Sequence, residues 1–401
     1  MSEATTNRPF DVVLFGATGF TGGLTAEYLA AHLPPGGRLA LAGRNRAKLE
    51  AVRDRLARID PSLHDIALVH ADSSDPASLT AVAESARVVI TTVGPYLEYG
   101  GPLVAACAAA GTDYVDLTGE PEFVDRMYVE HHATAERTGA RIVHACGFDS
   151  VPHDLGALFT VQQLPSGVPL TVRGVVRTNA TISGGTLHSG LGQLSRLRAM
   201  RHAAAARKRV EPRPVGRRVR ATLGLPRRDR VMRSWLLPVP TIDPEVAKRS
   251  AASRADYGPD FRYSHFAGLG NPALVIGAVV GFVAALVLVQ VPPVRRAIGR
   301  RIPQGEGPSQ ERRDRTRFTV DFVGQGGGRQ VHTRVGGGDP GYTETAKMLA
   351  ESALSLAFDD NPPTAGQVTT AAAMGENLVR RLVAAGISFE VVDDAPAGSR
   401  S

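Results

Sequence analysis

Residues 12–22 read V-V-L-F-G-A-T-G-F-T-G, four apolar residues passing straight into three glycines at Gly16, Gly19 and Gly22. The apolar run predicts a buried strand, and the glycines predict a tight turn into a helix. Glycine lets the backbone turn sharply and lets a phosphate approach bare N–H groups. Such a turn holds a dinucleotide pyrophosphate at the helix N-terminus, and the G-x-x-G-x-x-G spacing is a variant of that device.

Strands and helices alternate outward from this turn. A helix is expected over 24–32, stopped by Pro34-Pro35-Gly36-Gly37, and a second strand over 39–42. That strand ends in Gly43-Arg44-Asn45-Arg46, where the first unit of a dinucleotide fold reads the ribose. An acid there would select NAD, but arginines stand instead, and a guanidinium pairs with a 2′-phosphate in bidentate fashion. NADP is therefore the predicted cofactor. Further strands are expected over 67–70, 87–92, 114–116 and 141–144, with helices over 47–59, 101–110 and 122–138. Alternation of this kind means a Rossmann-type, doubly wound parallel sheet. Its ligands lie at the carboxyl ends of the strands. The predicted cofactor contacts are Gly16, Thr18, Gly19, Phe20, Thr21 and Gly22 in the turn. Arg44 and Asn45 follow the second strand, Asp72 the third, and Gly94, Pro95 and Tyr96 the fourth.

The 401 residues allow two domains, and the net charge of +7 suggests an anionic partner. Cys107 and Cys146 are far apart, so neither a disulfide framework nor a metal spacing is expected, and a reducing cytosol fits. The polar N-terminus has no apolar core of a secretory signal. Residues 1–150 read as the NADP-binding domain and 151–345 as a second, α+β domain. Residues 346–401 read as C-terminal helices packing back on the first domain. Residues 183–186, S-G-G-T, could form another anion-binding turn. Residues 196–233 hold fourteen Lys or Arg against two acids, either a solvated basic segment or a docking face for anionic lipid or an acidic carrier protein. Nucleic acid is disfavoured, because aromatics are nearly absent from the run. Residues 273–291 are 19 residues without a charge, followed by Pro292-Pro293 and by Arg295, Arg296, Arg300 and Arg301. They predict a helix that lies on a membrane, lines an apolar channel or forms a dimer seam, which places the protein in the cytoplasm at the membrane periphery. A hairpin over 317–335, helices over 344–358 and 371–385 and a last strand over 387–392 complete the chain.

Several stretches together resemble saccharopine dehydrogenase-like oxidoreductases: G-A-T-G-F-T-G at Gly16, A-G-R at Ala42 and V-G-P-Y at Val93. Y-V-D-L-T-G-E at Tyr114, G-F-D-S-V-P-H-D-L-G at Gly147, S-G-G-T at Ser183 and G-Y-T-E-T-A-K-M at Gly341 extend the likeness over nearly the whole chain. Within that family the chain is most similar to the trans-acting enoyl reductase branch of actinobacteria. The resemblance implies NADPH use and reduction of a carbon–carbon double bond on a lipid chain held by a polyketide synthase. The wider family allows an imine or amino-acid adduct instead, and a non-catalytic NADP-binding protein is the third reading. A short-chain dehydrogenase is excluded: that chemistry needs Tyr-x-x-x-Lys, and none of the eight tyrosines has a lysine four residues on. Tyr96 is the leading candidate proton donor, with packing on the cofactor ribose as its alternative role. Tyr99, Asp149 and His153 are further candidates at the domain junction.

Overall fold

The computed structural model describes residues 8–180, 190, 192–289 and 307–392. The first layer runs β1 (Phe10–Phe15), α1 (Phe20–His32), β2 (Leu39–Gly43), α2 (Arg46–Leu56), β3 (Ala67–His70), α3 (Pro76–Ser85) and β4 (Ala86–Thr91). It continues with α4 (Tyr96–Tyr99), α5 (Gly101–Ala110), β5 (Asp113–Asp116), α6 (Pro121–Thr138) and β6 (Arg141–Val143). β1 is buried on both faces, as a parallel strand covered by helices must be. Val12 and Leu14 enter one core cluster, whereas Val13 and Phe15 enter another, because successive side chains point to opposite faces.

The second part runs α7 (Val151–Val161), β7 (Leu170–Thr178), α8 (Leu197–Val210), β8 (Arg218–Ala221), β9 (Arg227–Asp229), β10 (Ser234–Pro238), α9 (Asp243–Ser253), β11 (Asp260–Leu269) and α10 (Pro272–Val289). It ends with α11 (Gln310–Asp314), β12 (Phe318–Gly326), β13 (Arg329–Gly337), α12 (Thr343–Phe358), β14 (Gly366–Val368), α13 (Thr370–Ala373), α14 (Glu376–Ala384) and β15 (Ser388–Val391).

The first sheet has strand order β14-β6-β5-β4-β1-β2-β3, and every pair is parallel. The order reverses between β1 and β4, so the crevice for a ligand opens there. The seventh strand, β14, lies beyond the six expected from sequence: Gly366–Val368 is too short to carry a period, and only its pairing with β6 makes it a strand. The second sheet has order β15-β13-β12-β7-β11-β10-β9, with β8 added beside β11.

The C-terminal segment does not belong to one layer. α12 packs on α1 and on β4 and β5, while β15 pairs with β13 in the second sheet. The single helix expected over 371–385 is two, broken at Gly375 with φ +49. The basic segment is folded, yet most of its Lys and Arg side chains are exposed to solvent. α8 packs along α6, with Arg207 buried over the Tyr128 ring at 4.0 Å and paired with Glu211 at 2.6 Å. Residues 183–186 and 290–291 lie outside the described residues.

Candidate functional site: the carboxyl ends of the first sheet

The Gly turn closes on β4. Gly16 has φ +102, and a Cβ there would stand 2.6 Å from Thr92 Oγ1, so only glycine fits both the backbone and the space. Gly22 is tighter: a Cβ would stand 2.1 Å from the Gly16 carbonyl oxygen, at which the first helical turn crosses the loop. At Gly19 the nearest atom to a Cβ would be 3.5 Å away, so this residue leaves open space. α1 starts after Gly19 with no side-chain cap, and Thr18 and Gly19 are exposed. Uncapped helix N–H groups facing an open glycine fit a pyrophosphate.

Arg44 is exposed just past β2, whereas Arg46 is engaged with Glu50 at 3.0 Å. Asn45 caps α2 by accepting from the Lys48 N–H at 3.0 Å. Asp72 accepts from both the N–H and the hydroxyl of Ser74, which hold its carboxyl below the usual carboxylate range. Arg44 is thus the exposed cation of the loop after β2, and Asn45 and Asp72 shape the loops on either side. Phe20 is partly exposed at the start of α1. Its ring meets the edge of Tyr342 at 5.0 Å and lies under the Arg313 guanidinium at 5.4 Å. Thr21 accepts, through its carbonyl, from the Thr25 hydroxyl at 2.9 Å.

Val93-Gly94-Pro95-Tyr96 forms the opposite wall. Glu120 holds this turn by accepting from the Tyr96 N–H at 3.2 Å and the Leu97 N–H at 3.0 Å. Two sequence motifs, V-G-P-Y and Y-V-D-L-T-G-E, are therefore halves of one clamp. The Tyr96 hydroxyl donates to the Thr91 carbonyl at 3.1 Å and accepts from the Leu117 N–H at 3.2 Å. Burial pushes that phenol well above its ordinary range, so its proton stays where it is. Tyr99 is exposed on the outer side of α4.

The third wall is the loop after β6. Asp149 is half-buried beside Gly119, whose Cβ would lie 3.7 Å from Asp149 Oδ2. Desolvation, then the negative charge of Asp243, raises its carboxyl to about 7. Behind it, His153, Asp243 and His265 are all buried, with ligating atoms within 4.8 Å of one another. His153 Nδ1 stands 3.1 Å from the Phe148 carbonyl, so that nitrogen must carry the proton, and Nε2 has no partner. Burial, then His153, lowers His265 to about 3, so His265 is neutral. Burial also lowers His153. Asp243 is held by Thr241 at 2.5 Å and by the two rings, and is the anion of the cluster. His153 is 1% exposed, and its polar contacts are to the Phe148 carbonyl and Asp243. The next residue, Asp154, ties three helices together by accepting from Ser250, Thr370 and the Ala371 N–H at 2.5–2.8 Å.

The second part closes over these loops. Thr345 accepts from the Phe148 N–H at 3.0 Å, Gln193 donates to the Gly119 carbonyl at 2.9 Å, and Arg196 grips Glu122 at 2.6 and 2.9 Å. Asp243, His265, Glu120 and Gln193 are absent from the sequence-based site. Asp243 and His265 come from two elements with no spacing relation to residue 149, so no local pattern marks them. A cleft of about 810 Å³ opens elsewhere, on the second sheet, lined by Arg313, Arg317, Arg334 and Glu344.

The family described as the saccharopine dehydrogenase NADP binding domain matches residues 12–143. A trans-acting enoyl reductase of Mycobacterium bovis is 37% identical, over 95% of this chain and 97% of its own. A Mycobacterium tuberculosis protein provisionally named as a trans-acting enoyl reductase is 41% identical, over 96% of this chain and 98% of its own. The chain belongs to the trans-acting enoyl reductase family. This family member is an NADP-dependent oxidoreductase. Saccharopine dehydrogenase from Saccharomyces cerevisiae superposes with a TM-score of 0.55 over 96% of this chain and 100% of that one, at 13% identity, a likeness of fold.

The Arg44 assignment predicts a cofactor switch. Arg44→Ser should raise KM for NADPH about 10- to 100-fold, the value of one or two charge-assisted hydrogen bonds. KM for NADH should stay within about twofold. Steady-state kinetics with both cofactors checks it, and a parallel loss with NADH would remove Arg44 from 2′-phosphate recognition.

Proposed function

We propose that the protein is an NADPH-dependent enoyl reductase acting on a polyketide-derived acyl chain that a separate synthase carries. What carries this reading is the 37–41% identity, over 95–96% of the chain, to proteins named as trans-acting enoyl reductases. The Gly turn, Arg44 and the Val93–Tyr96 wall would hold NADPH, whose chemistry when bound is hydride donation. Asp149 holds a proton near neutral pH beside the strand ends, where the α carbon of an enoyl thioester needs one. His153 and Asp243 position that carboxyl and keep it protonated, by hydrogen bonding to its loop and by like charge. Glu120 and Tyr96 fix the wall against which the substrate lies.

Tritium transfer from labelled NADPH into an enoyl thioester tests the reading. Absence of label in the saturated product, with NADPH still bound, would overturn it. A deletion strain should accumulate the unsaturated lipid intermediate.

Tyr96 is read here as structural. Tyr96→Phe leaves the Leu117 N–H and Thr91 carbonyl unsatisfied, so it should lower stability by about 1–3 kcal/mol. The kcat should fall less than tenfold, against the hundredfold or more expected for loss of a proton donor. Thermal denaturation and kcat measured on one preparation separate the two roles.

A further inference from the structure

α10 is the one apolar feature the reductase reading leaves unused. Among the described residues no helix is long and apolar enough to cross a membrane. At about 1.5 Å per residue, the 18 residues of α10 reach short of a hydrocarbon core about 30 Å thick. Yet the helix carries no charge, and it is rooted on the second sheet, where Val275 is buried and β10 and β11 lie close. Leu274, Ile276, Val280, Phe282, Val283 and Leu288 are each 44–65% exposed. At about 100° per residue these six fall on every side of the helix, not on one stripe. A second copy of the chain could cover a stripe, and an interfacial helix would keep a polar face for water. A helix apolar all round needs enclosure on all sides, which lipid supplies.

The root of α10 carries the complementary charge. Arg228, Arg230 and Arg233, in and after β9, are exposed, and none has an acidic partner among the described residues. Leu223 and Leu225, at 75% and 79% exposure, project from the preceding loop, which packs through Gly224 on the Phe266 ring. Trp235, the single tryptophan of the chain, stands half-buried on β10, paired with Leu269 three residues before α10 begins. Apolar tips, a tryptophan and unpaired arginines at one level are what a headgroup layer accommodates.

We propose that α10 inserts into one leaflet of a bilayer and that Arg228, Arg230 and Arg233 bind the phosphates of anionic phospholipid headgroups around it. This surface is independent of the reductase reading: neither NADPH nor an acyl substrate takes part.

Flotation of the full-length protein with phosphatidylcholine vesicles, with and without 30% phosphatidylglycerol, tests it. The expected result is strong binding to the phosphatidylglycerol vesicles, with a blue shift of Trp235 fluorescence and quenching by brominated acyl chains. The triple replacement Arg228→Glu, Arg230→Glu, Arg233→Glu should lower that binding roughly tenfold or more. Ile276→Asn with Val280→Asn should lower binding to both vesicle types, with Tm and NADPH affinity intact because both side chains are exposed. Absence of flotation by the folded protein would overturn the proposal. Equal binding to both vesicle types, unmoved by the glutamates, would overturn its anionic part. A dimer dissociated by Ile276→Asn and Val280→Asn, without vesicle binding, would assign α10 to a second copy instead.

Discussion

Asp149→Asn is expected to lower kcat by about 10²- to 10⁴-fold while leaving the KM for NADPH within a few-fold. The carboxyl is a partly buried ionisable group of the strand-end loops that holds its proton near neutral pH. Burial and the Asp243 charge raise it to about 7. A general acid with that value is active below pH 7 and fades as pH rises through it. The wild-type kcat should therefore fall on the alkaline side with an apparent pKa near 7, and the residual activity of Asp149→Asn should lose that limb. Stability follows the same direction with pH. A carboxyl raised in the folded state binds its proton more tightly there than in the unfolded chain. Its ionisation therefore costs stability progressively from about pH 4, and in full above pH 7. Replacing it with a neutral amide should leave Tm unchanged at about pH 3 and raise it at pH 8. A variant that is more stable at pH 8 yet nearly inactive would place Asp149 in the chemistry. One that keeps its kcat would leave the proton to water. Asp243→Asn separates positioning from donation. With the like charge gone, the alkaline limb should move toward lower pH while kcat at pH 5 persists.

The readable parts of this site are those that one segment of chain can build. The three glycines are spaced by a single turn, and each has a separate steric reason within that turn, so residues 12–22 declare the fold on their own. Arg44 follows the second strand where such units read the ribose, so the expectation of a 2′-phosphate partner needs only this one segment. Tyr96 shows where local reading stops. Its place beside the nicotinamide end is legible, but its hydroxyl is committed by Thr91 and Leu117, and Leu117 lies 21 residues away. The same holds for Asp149, a residue visible in a motif, whose proton affinity is set by Asp243, 94 residues later on another helix. The hydrophobic segment was legible as a helix, and the apolarity around its whole circumference was legible too. Its placement outside the core was expected too, but which surface it presents, membrane, channel or dimer seam, depends on neighbours that an apolar run does not name.

The second large effect separates folding from cofactor binding at two glycines three residues apart. Gly22→Ala would place a methyl group 2.1 Å from the Gly16 carbonyl oxygen and 2.8 Å from the Gly16 carbonyl carbon. Both are backbone atoms of a turn already held by Thr92, which donates its hydroxyl to the Gly16 carbonyl at 3.1 Å and its N–H to the Phe15 carbonyl at 3.0 Å. No rotamer can relieve the clash, so the helix must shift from the loop, at a cost of about 3 kcal/mol or more. Gly19→Ala meets nothing closer than 3.5 Å, and Gly19 has φ −82, which alanine adopts without strain. It should cost stability no more than the roughly 1 kcal/mol of a poorer helix cap. Its methyl group, however, fills the approach of a pyrophosphate to the bare N–H groups of α1, so NADPH affinity should drop at least about tenfold, or 1.4 kcal/mol. Tm without ligand and the NADPH dissociation constant, measured for both variants, check the pair. A Gly19→Ala protein that binds NADPH normally would mean that the pyrophosphate does not lie over this helix terminus. A Gly22→Ala protein with wild-type Tm would mean that the turn and helix can part without cost.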